Sequence, residues 1–144
     1  MSSYPVLIAA RMGSSRFPGK TLSKINQKPM LEILAERLSY SKYVNKIIIA
    51  TTKSKEDDQI ENWCKKNNHS CFRGSTDDVL QRLLDAAEYF KIETIIEVLG
   101  DNPLVHSDLV DKSMDLFLTK GHDYVATITN EYGQLEPQLK RFPI

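Results

Sequence analysis

Apolar, β-branched runs alternate with amphipathic stretches along most of the chain. Residues 4–10 are almost continuously apolar, the pattern of a strand covered on both faces. Residues 46–52 (KIIIATT), 70–73 and 93–99 (ETIIEVL) repeat it, and 123–128 reads as a fifth strand. Between these runs the period changes to that of a helix. Pro29 suits a first helical position ahead of Met30, Leu31, Ile33, Leu34 and Leu38 on one stripe. Ser54 and Asp57 have capping-box spacing before a helix that carries Ile60, Trp63 and Cys64 inward and runs to about residue 66. Ser75 and Asp78 repeat that spacing before Val79, Leu80, Leu83, Leu84, Ala87 and Phe90. His106 and Ser107 open a last helix, with Leu109, Val110, Met114, Phe117 and Leu118, that Gly121 closes. Beyond Thr129 the pattern dissolves, and Pro143-Ile144 carries no helix cap.

Repeated strand–helix alternation predicts an α/β fold: an open, mostly parallel sheet with helices on both faces. In such sheets ligands bind outside the carboxyl ends of the strands. The loop 10–20, Thr51-Thr52, Arg73-Gly74 and Gly100-Asp101 each follow a predicted strand, so the topology collects four polar segments on one edge. That edge is the candidate active site.

Composition narrows the function classes. At 144 residues one domain is expected. Lys+Arg and Asp+Glu balance at 19 each, so no general attraction to nucleic acid or an anionic membrane is expected, and an anion site must be local. The local exception is the chain's beginning: Arg11, Arg16, Lys20, Lys24 and Lys28 precede the first acidic residue, Glu32. Apart from Phe17 the basic loop has no interleaved aromatics, which disfavours a nucleic-acid interface. Cys64 and Cys71 lack CxxC spacing and read as small core hydrophobes in a reduced, cytoplasmic setting. The first apolar run is too short to span a bilayer, and the four residues before it lack a signal peptide's basic region.

The loop 10–20 offers backbone N–H groups at Gly13 and Gly19, hydroxyls at Ser14 and Ser15, and three cations. A triphosphate needs that mix, because charge neutralises it while directed donors orient it. Neither GxxxxGK[ST] nor GxGxxG is present, and a solvated basic connection is the alternative. Asp101 reads either as a metal ligand or as an Asx turn ahead of Pro103. Beside a triphosphate the metal reading gains, since Mg²⁺ is commonly held by one or two carboxylates plus substrate phosphates. His106 reads as a helix-start residue, and Asp77 and Asp78 as capping acids at a helix start.

The segments ARMGSSRFPGKTL, KPMLEIL, IIIATT, FRGSTDDVLQR and GDNPLV, in that order and spacing, resemble the cytidylyltransferases that activate acidic sugars. The nearest resemblance is to the spore-coat polysaccharide F-type group, with CMP-Kdo and CMP-sialate synthetases further off. It implies a GT-A-like nucleotidyltransferase (nucleotide-diphospho-sugar transferase) fold over residues 1–144, and transfer of CMP from CTP to a small sugar with release of pyrophosphate. By the same resemblance Arg11, Ser14, Arg16 and Lys20 would hold the triphosphate, with Arg11, Arg16 and Lys20 stabilising the charge of the leaving pyrophosphate. Ala9, Ala10, Arg73, Gly74 and Ser75 would line the nucleoside pocket, and Asp101 would bind Mg²⁺. Members of the family are considerably longer. The resemblance therefore implies a truncated domain, with a second metal carboxylate, much of the sugar-acid pocket and homodimer contacts after Ile144. The alternatives are a non-catalytic nucleotide-binding module, and a nucleotidyltransferase for another sugar or nucleotide.

Overall fold

A computed structural model describes residues 3–129 and 135–140 of the chain. In chain order the elements are β1 (Tyr4–Ala9), the short pair β2 (Lys24–Ile25) and β3 (Lys28–Pro29), α1 (Met30–Ser39), β4 (Val44–Thr52), α2 (Asp58–Lys66), β5 (Ser70–Gly74), α3 (Val79–Tyr89), β6 (Ile96–Leu99), α4 (Ser107–Lys120), β7 (Tyr124–Thr129) and β8 (Leu135–Lys140). The four strands expected from residues 4–99 form one parallel sheet in the order β5-β4-β1-β6.

Both faces of that sheet are covered, as its unbroken apolar strands require. Because side chains alternate along a strand, Val6 and Ile8 of β1 point one way and Leu7 the other. The first face joins Ile47 and Ile49 to Leu31, Leu34 and Leu38 of α1, Ile60, Trp63 and Cys64 of α2, and Val110 and Met114 of α4. The second joins Leu7, Ile48 and Ala50 to Leu83 and Ala86 of α3. Cys64 is buried in this core and Cys71 packs against it, both as free thiols. Among the described residues no helix is long and apolar enough to cross a membrane.

Four expectations are corrected. Pro29 is the N-cap of α1, not its first residue, because it also pairs with Lys24 in the β2–β3 hairpin. The turn of that hairpin, Asn26 and Gln27, has positive φ at both positions, 48° and 70°, as a tight two-residue hairpin requires. Ser54 makes no capping hydrogen bond. A single 3₁₀ turn, Lys55–Asp57, precedes α2, and Asp57 is turned into the protein instead. On α3, Leu80 and Leu84 are 68% and 55% exposed and Val79 is exposed as well, while Arg82 is 1% exposed. The helix is rolled so that Arg82, rather than Leu84, lies against the sheet. Lastly, β7 does not join the parallel sheet. It pairs antiparallel with β8, a strand in a segment where the pattern predicts none. Pro137 breaks the alternation there, yet a two-stranded ribbon is all edge and tolerates a residue without an N–H. The reading of Pro143-Ile144 lies outside the described residues.

His106 caps α4, its ring accepting the Asp108 N–H, and Gly121 ends that helix in the left-handed region at φ 58°. Asp78 caps α3 by accepting the Gln81 N–H, and the Ser75 hydroxyl accepts the Asp78 N–H, so the Ser75–Asp78 spacing marks a real helix start.

Candidate active site

The strand registers fix which loops meet. Ala9 lies opposite Ala50 on one side and Leu99 on the other, and Thr52 lies opposite Gly74. The four carboxyl ends therefore share one edge. A cavity of about 280 Å³ opens there between the loop after β1, the loop after β6 and the first turn of α3.

The β1 loop is built as a closed ring. Its foot is tied by Thr21 Oγ1 donating to the Arg11 carbonyl at 2.9 Å and by Gly19 N–H donating to the Met12 carbonyl at 2.8 Å. Asp57 anchors the ring to the sheet. Its carboxylate, 1% exposed, accepts the Met12 N–H at 2.6 Å and the Thr52 hydroxyl, and Thr52 Oγ1 accepts the Ser54 N–H at 3.1 Å. A buried carboxylate is stable only when its lone pairs are satisfied, so these donors explain its position. Closure leaves Arg11, Ser14, Arg16 and Lys20 lining the cavity, with Ala9 and Ala10 at its floor. The Ser14 hydroxyl also accepts the Phe17 N–H at 3.3 Å.

Asp101 faces the ring from the β6 loop. Lys20 Nζ reaches its Oδ2 at 2.8 Å, and the hydrogen bond and charge of Lys20, with a smaller contribution from Arg16, hold the carboxyl below the ordinary aspartate range. The β6 loop is itself fixed. Gly100 N–H donates to the Ala9 carbonyl at 2.8 Å, and a Cβ on Gly100 would lie 2.8 Å from that oxygen and 2.9 Å from Ala10 Cβ. Farther along, Arg37 of α1 donates from Nε to the Val105 carbonyl at 3.0 Å.

Arg73, Gly74 and Ser75 are placed differently. None lines this cavity. The Arg73 guanidinium is turned onto the start of α2, donating to the Thr52 and Ser54 carbonyls at 2.8 and 2.6 Å and to the carboxylates of Asp58 and Glu61 at 2.5 and 3.0 Å. The carboxylates, Asp58 foremost and then Glu61, raise the Arg73 pKa, and hydrogen bonds from Lys65 first and Arg73 second lower that of Glu61. Gly74 makes room for another residue: a Cβ there would lie 3.0 Å from Arg82 Cγ and 2.8 Å from Phe72 Cε1. The Ser75 carbonyl accepts from Arg82 Nη1 at 2.9 Å.

Arg82 and Val79 line the cavity and Asp57 anchors its loop, and sequence reasoning assigned none of them to the site. A signal for Arg82 was available. Val79, Arg82, Leu83 and Ala86 are spaced three, one and three apart, which puts an arginine on the apolar stripe of a helix. A signal for Asp57 was not, since its capping-box position already had an explanation.

Among the described residues no group of three or more His, Cys, Asp or Glu side chains could hold a metal ion. Among the described residues lining the cavity Asp101 is the one carboxylate, and a Mg²⁺ shared with phosphates is commonly held by one or two.

The chain is similar in sequence and in fold to known proteins. The family described as "Cytidylyltransferase" matches residues 5–141. The spore coat polysaccharide biosynthesis protein SpsF of Bacillus subtilis is 35% identical over 137 residues, 92% of this chain and 57% of its own. A cytidylyltransferase from Leptospira borgpetersenii superposes with a TM-score of 0.79 at 40% identity, covering 88% of this chain and 54% of that one. A CMP:2-keto-3-deoxy-manno-octonic acid synthetase solved in complex with CTP superposes with a TM-score of 0.72 at 26% identity, covering 87% and 52%. The chain spans about half the length of the curated relatives it matches.

Proposed function

This chain belongs to the cytidylyltransferase family, and from that premise we propose that its cationic pocket binds the triphosphate of CTP for transfer of CMP to an acidic sugar. The observation that carries the proposal is the convergence of Arg11, Arg16 and Lys20 on one cavity with Asp101 opposite. In the reaction a sugar hydroxyl oxygen attacks the α-phosphorus and gives up its proton to solvent, a P–O bond forms, and the bond to the β-phosphate oxygen breaks, so that negative charge grows on departing pyrophosphate. Such transfer requires positioning and charge stabilisation rather than a protein nucleophile. Arg11 and Arg16 would offset the growing charge, and Lys20 would follow it by leaving Asp101. Ser14 and the loop N–H groups supply directed donors. Asp101 would hold Mg²⁺, which, when bound, supplies Lewis-acid neutralisation of the phosphates. An acidic sugar is favoured by the likeness to a synthetase for an octonic acid.

The test is pyrophosphate release from CTP and Mg²⁺ with a panel of 3-deoxy-ulosonic and nonulosonic acids. Release with at least one acid, and little with neutral sugar phosphates, is expected. Turnover with a neutral sugar phosphate or another nucleotide alone would overturn the substrate assignment. Tight Mg²⁺-dependent CTP binding without release would mark a nucleotide-binding module instead.

A further inference from the structure

We propose that Arg82 is a phosphate-binding residue of the pocket, a buried guanidinium whose missing counter-ion is the polyphosphate of the nucleotide. The inference rests on the pocket being a polyphosphate site. It concerns a residue on α3, outside the basic loop.

Arg82 is the largest fully buried side chain among the described residues, at 1% exposed. A buried arginine ordinarily has a carboxylate partner, because an unpaired charge away from water is costly. Arg82 makes no salt bridge among the described residues, in contrast to Arg73 on the same connection. Among the described residues its one side-chain hydrogen bond runs from Nη1 to the Ser75 carbonyl, and its Nε is buried without a partner. The charge nearest it in effect is of the same sign. Burial first and Arg11 second push its pKa down, with Asp57 opposing. A guanidinium nevertheless stays protonated in proteins, so it remains a cation.

The surroundings hold this costly side chain in place. Gly74 leaves room for its aliphatic stem, and Ser75 fixes one nitrogen. Arg82 lines the cavity together with Arg11, Arg16 and Lys20. Two guanidiniums, Arg82 and Arg11, that repel one another in the empty protein become complementary once an anion lies between them. Arginine's fork also suits the paired oxygens of a phosphate. The unpaired Nε and the neighbouring cation Arg11 together leave a place for an anion.

Pyrophosphate is the probe, titrated calorimetrically into the 144-residue chain as wild type, Arg82→Met and Arg82→Lys, with thermal midpoints recorded with and without saturating pyrophosphate. The expected result is at least a tenfold rise in Kd for Arg82→Met and a smaller rise for Arg82→Lys. The ligand-free midpoint should be unchanged or higher for Arg82→Met, since an unpaired buried charge has been removed, while the pyrophosphate-induced rise shrinks. Unchanged pyrophosphate affinity with a lowered ligand-free midpoint would overturn the proposal and make Arg82 structural, leaving the polyphosphate site standing. No binding by the wild type, of either pyrophosphate or CTP, would overturn both. If Arg82→Met does not fold, Arg82→Lys decides, and an affinity within twofold of wild type counts against the proposal.

Discussion

The two ends of the parallel sheet carry cavities of nearly equal size, about 290 Å³ at the amino end and about 280 Å³ at the carboxyl end, yet their linings differ. At the amino end Asn45 of the lining donates to the Ser3 hydroxyl and Lys46 lies over the Phe90 ring. The hydroxyl of Tyr43 and the ammonium of Lys42 both donate to Asp115, Ser41 donates to Asp111, and His69 stacks on Trp63 with ring centroids 5.2 Å apart. At the carboxyl end Arg82 is unpaired and three further cations have one carboxylate, Asp101, opposite them. Volume does not distinguish the two cavities; the number of cations in the lining does, Lys46 alone at one end against Arg11, Arg16, Lys20 and Arg82 at the other. A difference in pairing likewise separates Arg73, fully engaged on α2, from Arg82, nine residues later.

The contrast can be broken by experiment. The largest effect is expected from Asp57→Ala, which strands the buried Met12 N–H and the Thr52 hydroxyl and should cost about 3 kcal/mol of unfolding free energy. A urea titration measures it, and pyrophosphate affinity should fall with it because the basic ring loses its anchor. Full stability in this variant would show that the ring is held by its own cross-links alone. Next comes Gly74→Ala. A methyl 3.0 Å from Arg82 Cγ and 2.8 Å from the Phe72 ring should cost about 2 kcal/mol by overpacking and displace the Arg82 stem. The companion measurement is pyrophosphate binding, which should weaken more than it does in Arg73→Met.

Arg73→Met sharpens the comparison from the other side. Losing hydrogen bonds at a partly exposed site should cost about 1 kcal/mol and leave pyrophosphate affinity within twofold of wild type. A tenfold loss there would return Arg73 to the binding site. The smallest effect belongs to the amino end. Burial holds the His69 imidazole below its ordinary range, so the unfolded chain takes up the proton first as pH falls. That part of the stability is complete above about pH 6.5 and is lost as pH drops from there to the folded value. His69→Phe should remove this component from a series of urea midpoints between pH 7.5 and 5.5, with pyrophosphate affinity unchanged at pH 7.5.

Much of this contrast was written in the sequence. The four central strands follow from continuous apolar runs, and their parallel pairing from the helices between them. The loop after residue 9 announced itself through cations welded to a strand, and Asp101 through its place after another. What escaped notice depends on helix roll and on which way a side chain turns. Counting apolar residues put Leu80 and Leu84 inside α3, whereas the helix is turned to bury Arg82. Arg73 lies at the carboxyl end of its strand, but the direction of its own side chain carries the charge away from the cavity. Asp57 fitted a local rule for helix starts, and a contact 45 residues away in sequence claimed it instead. Strand β8 has a proline at its centre and among the described residues pairs only with β7, so nothing in its own pattern betrays it.

At Gly100 the backbone of one strand end rests directly on that of another, with no side chain between them. A wall made of side chains can breathe by changing rotamers, but two main chains in contact have one spacing. The floor of the pocket is therefore a fixed gauge, and any widening must come from its opposite wall, where the basic ring and the first turn of α3 end in side chains.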